Sequence, residues 1–170
     1  MAETTVDSII SELIAERDIR NVLARYCRGI DRIDMDLVRS CYHPDAVDEH
    51  GDIGGSIQRF TDHIGRSLWR HDTTTHFIGN ILIDLRGDHA FSETYCIATH
   101  RKKQPDGNVH EHVVGIRYCD RFEKRGGEWK IAHRKAVMDW AKVHDGGSGW
   151  ESFDTYLHGR KDRSDPAYGS

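Results

Sequence analysis

The second half of the chain alternates between apolar and polar residues over four long segments, and this pattern restricts the fold more than any other feature. The segments cover residues 73–85, 89–101, 110–124 and 128–143. Short runs typical of turns separate them, at residues 86–88, 105–108 and 125–127. A period of two indicates strands with one buried face, and the short turns indicate hairpins between neighbours. The sequence therefore predicts an antiparallel sheet of long strands.

The first half of the chain instead carries apolar residues at helical spacing. It predicts a long helix over residues 7–32, which we expect to loosen near Gly29. A second, short helix is expected to begin at Asp34 and to end at Pro44, because proline cannot continue the helical hydrogen-bond pattern. A third helix is expected after the N-cap residue Ser56. Three helices therefore precede the strands.

Helices followed by hairpin-linked strands predict an α+β fold, with the helices packed on one face of the sheet. A strongly curved sheet would wrap around these helices and leave a cavity between them. The length of 170 residues suits one domain, which we place at residues 1–143. Residues 144–170 are expected to form a tail that covers the pocket or contacts another subunit, with one apolar face made by Trp150, Phe153 and Leu157.

Charge and composition exclude several classes of protein. The 24 Lys and Arg residues against 28 Asp and Glu give a net charge of −4, without the basic excess of nucleic-acid-binding proteins. No apolar run approaches the roughly 20 residues that span a bilayer, and the acidic N-terminus does not resemble a signal peptide. Four cysteines form no CxxC pair: Cys27, Cys41, Cys96 and Cys119. We therefore expect a cytoplasmic protein with reduced thiols and no membrane or nucleic-acid partner.

Two residues are candidates for a proton-transferring pair. His76 follows three threonines on the first predicted long strand, and Asp31 lies at the end of the first helix. An imidazole in an apolar pocket can act as a general base when a carboxylate fixes its tautomer. Simpler roles remain open, namely a structural or surface histidine at position 76 and ion pairs of Asp31 with Arg28 and Arg32. Sequence spacing alone does not bring Asp31 and His76 together.

Arg134 is a candidate for stabilising a negative charge. It shares one predicted strand face with small and apolar residues: Ala132, Ala136, Met138 and Trp140. A guanidinium on such a face could bind an anion or an enolate oxygen. An ion pair at a subunit contact is the alternative.

His110 and His112 are two residues apart and would share one face of a strand, as in half of a metal site. No carboxylate at a helpful spacing and no cysteine lies nearby, so metal binding remains only an alternative. The sequence contains no P-loop, no dinucleotide-binding glycine fingerprint, no nucleophile elbow and no HExxH motif. We therefore expect no metal and no organic cofactor.

Several segments, in their order and spacing, resemble a known family. They are ARYCRGIDRID, SCYHPDAV, TTTHFIGN and GIRYCDRFEKRGGEWKIAHRKAV, and the resemblance covers roughly residues 9–143. The segments are similar to the SnoaL-like branch of the nuclear transport factor 2-like superfamily. Within that branch they resemble scytalone dehydratase, hexachlorocyclohexane dehydrochlorinase and bile-acid 7α-dehydratase. The resemblance implies a cone-shaped, curved mixed β-sheet wrapped around N-terminal helices, with a deep internal pocket.

The resemblance also implies catalytic roles. In these lyases an aspartate at the end of the first helix orients a histidine on the first long strand, and that histidine removes a proton. The matching positions here are Asp31 and His76, and two further family positions fall on Tyr26 and Arg134. The implied reaction is a β-elimination in which Asp31 stabilises the imidazolium of His76. Arg134 or Tyr26 would stabilise the oxyanion or assist the leaving group.

Four further residues are candidates for binding the substrate. Asp48 and His50 lie in residues 46–53, a predicted short strand and turn from which they could reach the pocket or simply face solvent. The scytalone enzyme carries a second pocket histidine on a following strand, and His110 or His112 could correspond to it. The register is open by a residue or two, and a slip of one residue reverses the face.

The resemblance therefore implies a cofactor-independent lyase or isomerase acting on a small hydrophobic cyclic or polycyclic substrate. The alternative is a non-catalytic protein, because the superfamily also contains ligand-binding proteins and the small (β) subunits of aromatic-ring dioxygenases. A sheet covered on one face only leaves an apolar outer face, including Val113 and Cys119, which predicts a homo-oligomer. Dehydratase-like relatives suggest a trimer and isomerase-like relatives a dimer.

Overall fold

The computed structural model describes residues 5–145 and 160–165, which contain three helices and six strands. The helices are α1 (Val6–Asp31), α2 (Met35–Ser40) and α3 (Ile57–Leu68). The strands are β1 (Tyr42–Glu49), β2 (Gly55–Ser56), β3 (Thr73–Arg86), β4 (His89–Lys103), β5 (Val109–Arg125) and β6 (Glu128–Asp145). The predicted α+β fold is confirmed, as are the four long strands to within two residues at each end.

The strands form one curved, open sheet in the order β2-β1-β6-β5-β4-β3. Antiparallel hairpins join β3 to β4, β4 to β5 and β5 to β6. The short strand β2 is antiparallel to β1, whereas β1 runs parallel to β6. The sheet is therefore mixed, and residues from the two halves of the chain lie side by side at its centre.

The helices cover the inner face of the sheet and bury its apolar side chains. One side of α1 carries the core residues Ile19, Val22, Leu23, Tyr26 and Ile30. Asp34 caps α2 by accepting a hydrogen bond from Leu37 N, and Ser56 caps α3 in the same way from Arg59 N. Both N-caps agree with the sequence prediction.

Gly29 lets α1 and α2 approach closely. A Cβ atom at this position would lie 2.8 Å from Cγ2 of Val38, which is too close for a carbon–carbon contact. Gly29 also accepts a hydrogen bond from Asp34 N at 2.8 Å. The helix ends two residues after Gly29, at Asp31. The Gly29 carbonyl belongs to this helix end, because Asp34 N bonds to it across Ile33, whose φ is 54°. The prediction of a helix end near Gly29 therefore agrees with the structure to within two residues, and packing against Val38 is a further reason for glycine here.

Pro44 does not end α2, contrary to the sequence prediction. The helix ends at Ser40 with Cys41 as its C-cap, and Pro44 lies inside β1. The ladder between β1 and β6 shifts register between Tyr42 and Val47, so Pro44 falls where regular pairing is interrupted. A residue without an N–H is tolerated at such a position.

A bulge in β6 changes which residues face the helices. Gly115 pairs with Trp140 and Ile116 with Met138, which leaves Asp139 as an extra residue. Met138 consequently faces the inner cavity, whereas Trp140 lies on the outer face against Gly115. Strict alternation had placed both side chains on one face, and that prediction is wrong because of the extra residue.

Residues 160–165 pack beside the end of α1 and the turn after α3. Lys161 Nζ donates hydrogen bonds to the carbonyl oxygens of Leu68 and His71, at 2.7 and 2.5 Å. Asp165 forms an ion pair with Arg32 at 3.1 Å. The predicted apolar face of Trp150, Phe153 and Leu157 lies outside the described residues.

The thiols of Cys27, Cys41, Cys96 and Cys119 are all free, and only Cys119 is not buried. Within residues 5–145 and 160–165, no helix combines the length and apolar character that crossing a membrane demands.

Candidate active site

A cavity of about 180 Å³ lies between the helices and the inner face of the sheet. Apolar side chains of α3 and of the strands form much of its wall. The polar groups that border it are three imidazoles and two phenols: His50, His76, His100, Tyr26 and Tyr118. Three wider surface clefts, of about 320, 380 and 490 Å³, have no histidine in their walls. Of these four, the smaller cavity is the one that imidazoles border.

Asp31 and His76 are in direct contact at this cavity. Asp31 Oδ1 lies 2.7 Å from His76 Nδ1, and Asp31 Oδ2 accepts a hydrogen bond from the His76 backbone N at 3.0 Å. The His76 side chain is 8% exposed and that of Asp31 14%. Because Nδ1 donates to the carboxylate, the unshared pair of the neutral ring is on Nε2. The last turn of α1 and the start of β3 together create an oriented base.

His100 is a neighbour of His76 that sequence reasoning missed. It lies on β4 in line with the inward residues Cys96 and Ala98, and its ring centroid is 5.6 Å from that of His76. Burial, and then the nearby imidazoles of His76 and His71, lower the pKa of His100 to about 3. His100 is therefore neutral at physiological pH. The signal that could have identified His100 is its spacing: it lies two positions after Ala98 and four after Cys96, so alternation along β4 places it on their buried face.

Tyr26 and Tyr118 form one wall of the cavity, with Arg134 behind them. The guanidinium carbon of Arg134 lies 4.0 Å from the ring centre of Tyr26 and 4.1 Å from that of Tyr118. Arg134 also donates two hydrogen bonds of 2.7 Å to Asp120, and both side chains of this pair are fully buried. Arg134 is not among the residues that border the cavity. The guanidinium therefore contacts the rings of both tyrosines without bordering the cavity itself.

Tyr26 borders the cavity as a neutral phenol. Burial raises the pKa of its hydroxyl well above the usual value, and the charge of Arg134 only partly opposes this effect. The phenol therefore remains protonated over the physiological range of pH. Tyr26 lies five residues before Asp31 on α1, so one helix supplies both a neutral donor and the carboxylate that orients His76.

Asp48 and His50 form a second carboxylate–imidazole pair. Asp48 is fully buried, with Oδ1 at 3.1 Å from His50 Nδ1 and Oδ2 accepting a hydrogen bond of 2.7 Å from the Tyr42 hydroxyl. The His50 ring borders the cavity and stacks on Phe60 with centroids 5.2 Å apart. The structure thus places His50 at the cavity and Asp48 behind it.

His110 and His112 lie away from the cavity. His110 Nε2 is 2.6 Å from His112 Nε2, and His110 Nδ1 contacts Asp145. Neither residue borders the cavity; both lie near the start of β5, where His112 pairs with His100 of β4. In the described part of the chain, no group of three or more His, Cys, Asp or Glu side chains has an arrangement that could hold a metal ion.

Three helices closed over a curved mixed sheet, with polar groups at the cavity between them, define the α+β class of nuclear transport factor 2-like proteins. Within this class, the model of the SnoaL-like domain matches residues 11–135. The chain belongs to that family.

Solved structures share the fold at low sequence identity. A hexachlorocyclohexane dehydrochlorinase (LinA, type 2) is 17% identical, with a TM-score of 0.73, and the match covers 85% of this chain and 99% of that chain. A proposed scytalone dehydratase from Novosphingobium aromaticivorans DSM 12444 is 18% identical, with a TM-score of 0.70 and coverage of 82% and 96%.

A third similar structure, from the same organism, is the β subunit of a proposed aromatic-ring-hydroxylating dioxygenase. It is 17% identical, with a TM-score of 0.61, and the match covers 76% of this chain and 92% of that chain. No curated protein matches the chain. At these identities the structural matches establish the fold and leave the activity to be argued from the site.

Proposed function

We propose that this protein is a cofactor-independent lyase or isomerase that acts on a small hydrophobic cyclic substrate. The observation that carries the proposal is the two-point contact of Asp31 with His76 at the edge of a largely apolar cavity. His76 Nε2 removes a proton from a carbon next to a carbonyl or similar group. Asp31 stabilises the imidazolium that forms, as the aspartate of a catalytic triad does.

Tyr26 is the group best placed to stabilise the negative charge that develops on the substrate. Its side chain borders the cavity and its phenol stays protonated, and in this proposal the hydroxyl donates a hydrogen bond to an enolate oxygen. Arg134 acts behind Tyr26 by fixing the ring and by contributing positive charge at 4.0 Å. In an isomerase the proton returns to another carbon. In a lyase the electron pair expels a neighbouring substituent.

Exchange of α protons tests the base without requiring knowledge of the leaving group. We would incubate 1-tetralone and a panel of polycyclic ketones, β-hydroxy ketones and β-halo ketones in D₂O, following exchange and elimination by proton NMR. His76→Ala and Asp31→Asn are expected to reduce the rate by about 10²–10⁴-fold. His63→Ala is the matched control, because His63 is an exposed histidine of α3. Activity that survives both substitutions would contradict the proposal.

A non-catalytic role is the competing proposal, supported by the structural similarity to a dioxygenase β subunit. A subunit of that kind needs no oriented base in a cavity. It would bind a larger catalytic subunit, so co-purification with an iron–sulfur protein, together with ligand binding unaffected by Asp31→Asn, would favour this alternative.

We also propose that the chain forms a homo-oligomer through the outer face of the sheet. Phe77 is 71% exposed there, and Tyr95, Ile97 and Trp140 are each about half exposed. These four residues border an outer cleft of about 380 Å³. An apolar surface of this kind is typical of a subunit contact.

A further inference from the structure

Two carboxylate–imidazole pairs lie at one cavity, and their imidazoles come from distant strands of the sheet. His76 lies on β3, at one edge of the strand order, while His50 directly follows β1 and lies four strands away. Each ring is held at Nδ1 by a carboxylate, at 2.7 Å from Asp31 and 3.1 Å from Asp48. The two rings therefore both leave Nε2 for a bound molecule.

The charges around Asp48 and His50 differ from those around Asp31 and His76. Arg134 is fully buried, and both of its hydrogen-bonded nitrogens bind Asp120, so one positive charge is already matched by one negative charge. Asp48 is a second fully buried carboxylate, directly opposite Arg134 in the β1–β6 register. Of its two hydrogen-bond partners, Tyr42 is neutral, because burial raises the pKa of that phenol well above its usual value.

A buried cluster of one cation and two carboxylates lacks one positive charge. An uncompensated charge is costly in a buried site. His50 contacts Asp48 directly, whereas His133, the other imidazole near Asp120, binds Glu49 at the surface. An imidazolium at His50 would balance the cluster. Asp31, by contrast, is partly exposed and has Lys161 as a nearby positive charge, so His76 has no such requirement.

We propose that His50 is the general acid of the reaction in which His76 is the base, so that the site favours a leaving group that needs a proton over one that does not. This inference rests on the proposed function. Hydroxide is a poor leaving group that needs a proton, whereas chloride leaves without one. A protonated imidazole in the same cavity as the base therefore assists the loss of hydroxide and is not needed for the loss of chloride.

The step balances without a co-reactant. His76 Nε2 takes the proton from the α carbon, and the C–H electron pair becomes the new carbon–carbon double bond. The bond from the β carbon to oxygen breaks, and the proton on His50 Nε2 passes to that oxygen, which departs as water. The protein then holds a protonated His76 and a neutral His50, and exchange with solvent restores both.

A pair of substrates that differ only in the leaving group tests this assignment. We would measure kcat/KM for elimination from 3-hydroxy-1-indanone and 3-chloro-1-indanone, which give the same product. His50→Gln retains an N–H donor but transfers no proton, so it should reduce dehydration by about 10²-fold or more and reduce chloride elimination by a much smaller factor. His63→Gln is the control.

The outcomes separate this inference from the proposed function. Equal losses on both substrates, or no loss on either, would overturn the role of His50 while leaving His76 as the base. A wild-type protein that prefers the chloride would overturn the preference for a leaving group that needs a proton. Elimination from both substrates that persists in His76→Ala would overturn the proposed function itself.

A second measurement needs no substrate. Nitrogen-15 NMR of the labelled protein distinguishes an imidazolium from a neutral ring, so it reads directly whether His50 carries the proton that a general acid transfers. Asp48→Asn should make His50 neutral, because Asp48 is a positioning residue that acts through the ring. A neutral His50 in the wild-type protein would overturn the inference.

Discussion

Asp31 holds His76 at two atoms, the ring Nδ1 at 2.7 Å and the backbone N at 3.0 Å. The carboxylate thus fixes the ring tautomer and also the path of β3 beside the end of α1. One side chain performs both tasks. A substitution of Asp31 that keeps the backbone hydrogen bond but removes the negative charge therefore separates them.

We expect Asp31→Asn to lower kcat by up to about 10⁴-fold with a small change in KM. An amide can still accept the backbone hydrogen bond, so the strand stays in place, but it no longer stabilises the imidazolium. Steady-state kinetics on 3-hydroxy-1-indanone and circular dichroism check the two parts. A loss confined to KM would contradict the proposed role of Asp31.

Arg134→Met is expected to destabilise the fold by about 3–5 kcal/mol, because it leaves the Asp120 carboxylate buried without its partner. Arg134→Met combined with Asp120→Leu should recover much of that loss. Urea unfolding measures both free energies. Arg86→Met, in an exposed ion pair with Asp84, is the control and should leave the midpoint nearly unchanged. A double variant no more stable than Arg134→Met would argue against this pairing.

His100 should make the protein less stable as the pH falls from about 6.5 towards 3. Its folded-state pKa of about 3 lies below the unfolded value of about 6.5. In this window the unfolded state binds a proton that the folded state does not, so each pH unit costs at most about 1.4 kcal/mol. His43 and His71 have pKa values lowered by burial and act in the same direction.

Urea midpoints between pH 7 and pH 4 measure this effect. The decline should be shallower in His100→Gln than in the wild type and unchanged in the exposed control His63→Gln. Parallel curves for the wild type and His100→Gln would contradict the burial of a neutral His100.

Gly29→Ala should destabilise the protein by about 1–3 kcal/mol, because the added methyl group overlaps Val38. Adding Val38→Ala should relieve the overlap, so the penalty of Gly29→Ala should be smaller in that background. The double-mutant cycle is measured by urea unfolding. An unchanged penalty in the Val38→Ala background would show that the contact is not the cause.

Phe77→Asp should dissociate the proposed homo-oligomer, because it places a charge in the centre of the apolar outer face. Size-exclusion chromatography with light scattering measures the mass. Gln58→Glu, an exposed substitution on α3, is the control. A monomeric wild-type protein would contradict the proposal.

The strands were predictable because alternation depends only on local sequence, whereas the contacts at the site depend on bulges and long-range packing. Parity along β3 and β4 places His76 and His100 on one side, yet nothing local indicates that Asp31 reaches His76. The extra residue Asp139 reverses the face of Trp140, and local patterns do not reveal it. The partner of Arg134 was equally hidden, since Asp120 becomes its neighbour only through the β5–β6 register.

The parallel pairing of β1 with β6 also has a consequence for synthesis of the chain on the ribosome. Asp48 lies opposite Arg134 in the sheet, so β1, which precedes His50, has only the two-residue strand β2 beside it until the last long strand has left the exit tunnel. Until then β1 presents an unpaired edge next to an apolar helix surface. We expect nascent chains stopped before residue 130 to need chaperone protection, because exposed strand edges and apolar surface promote aggregation.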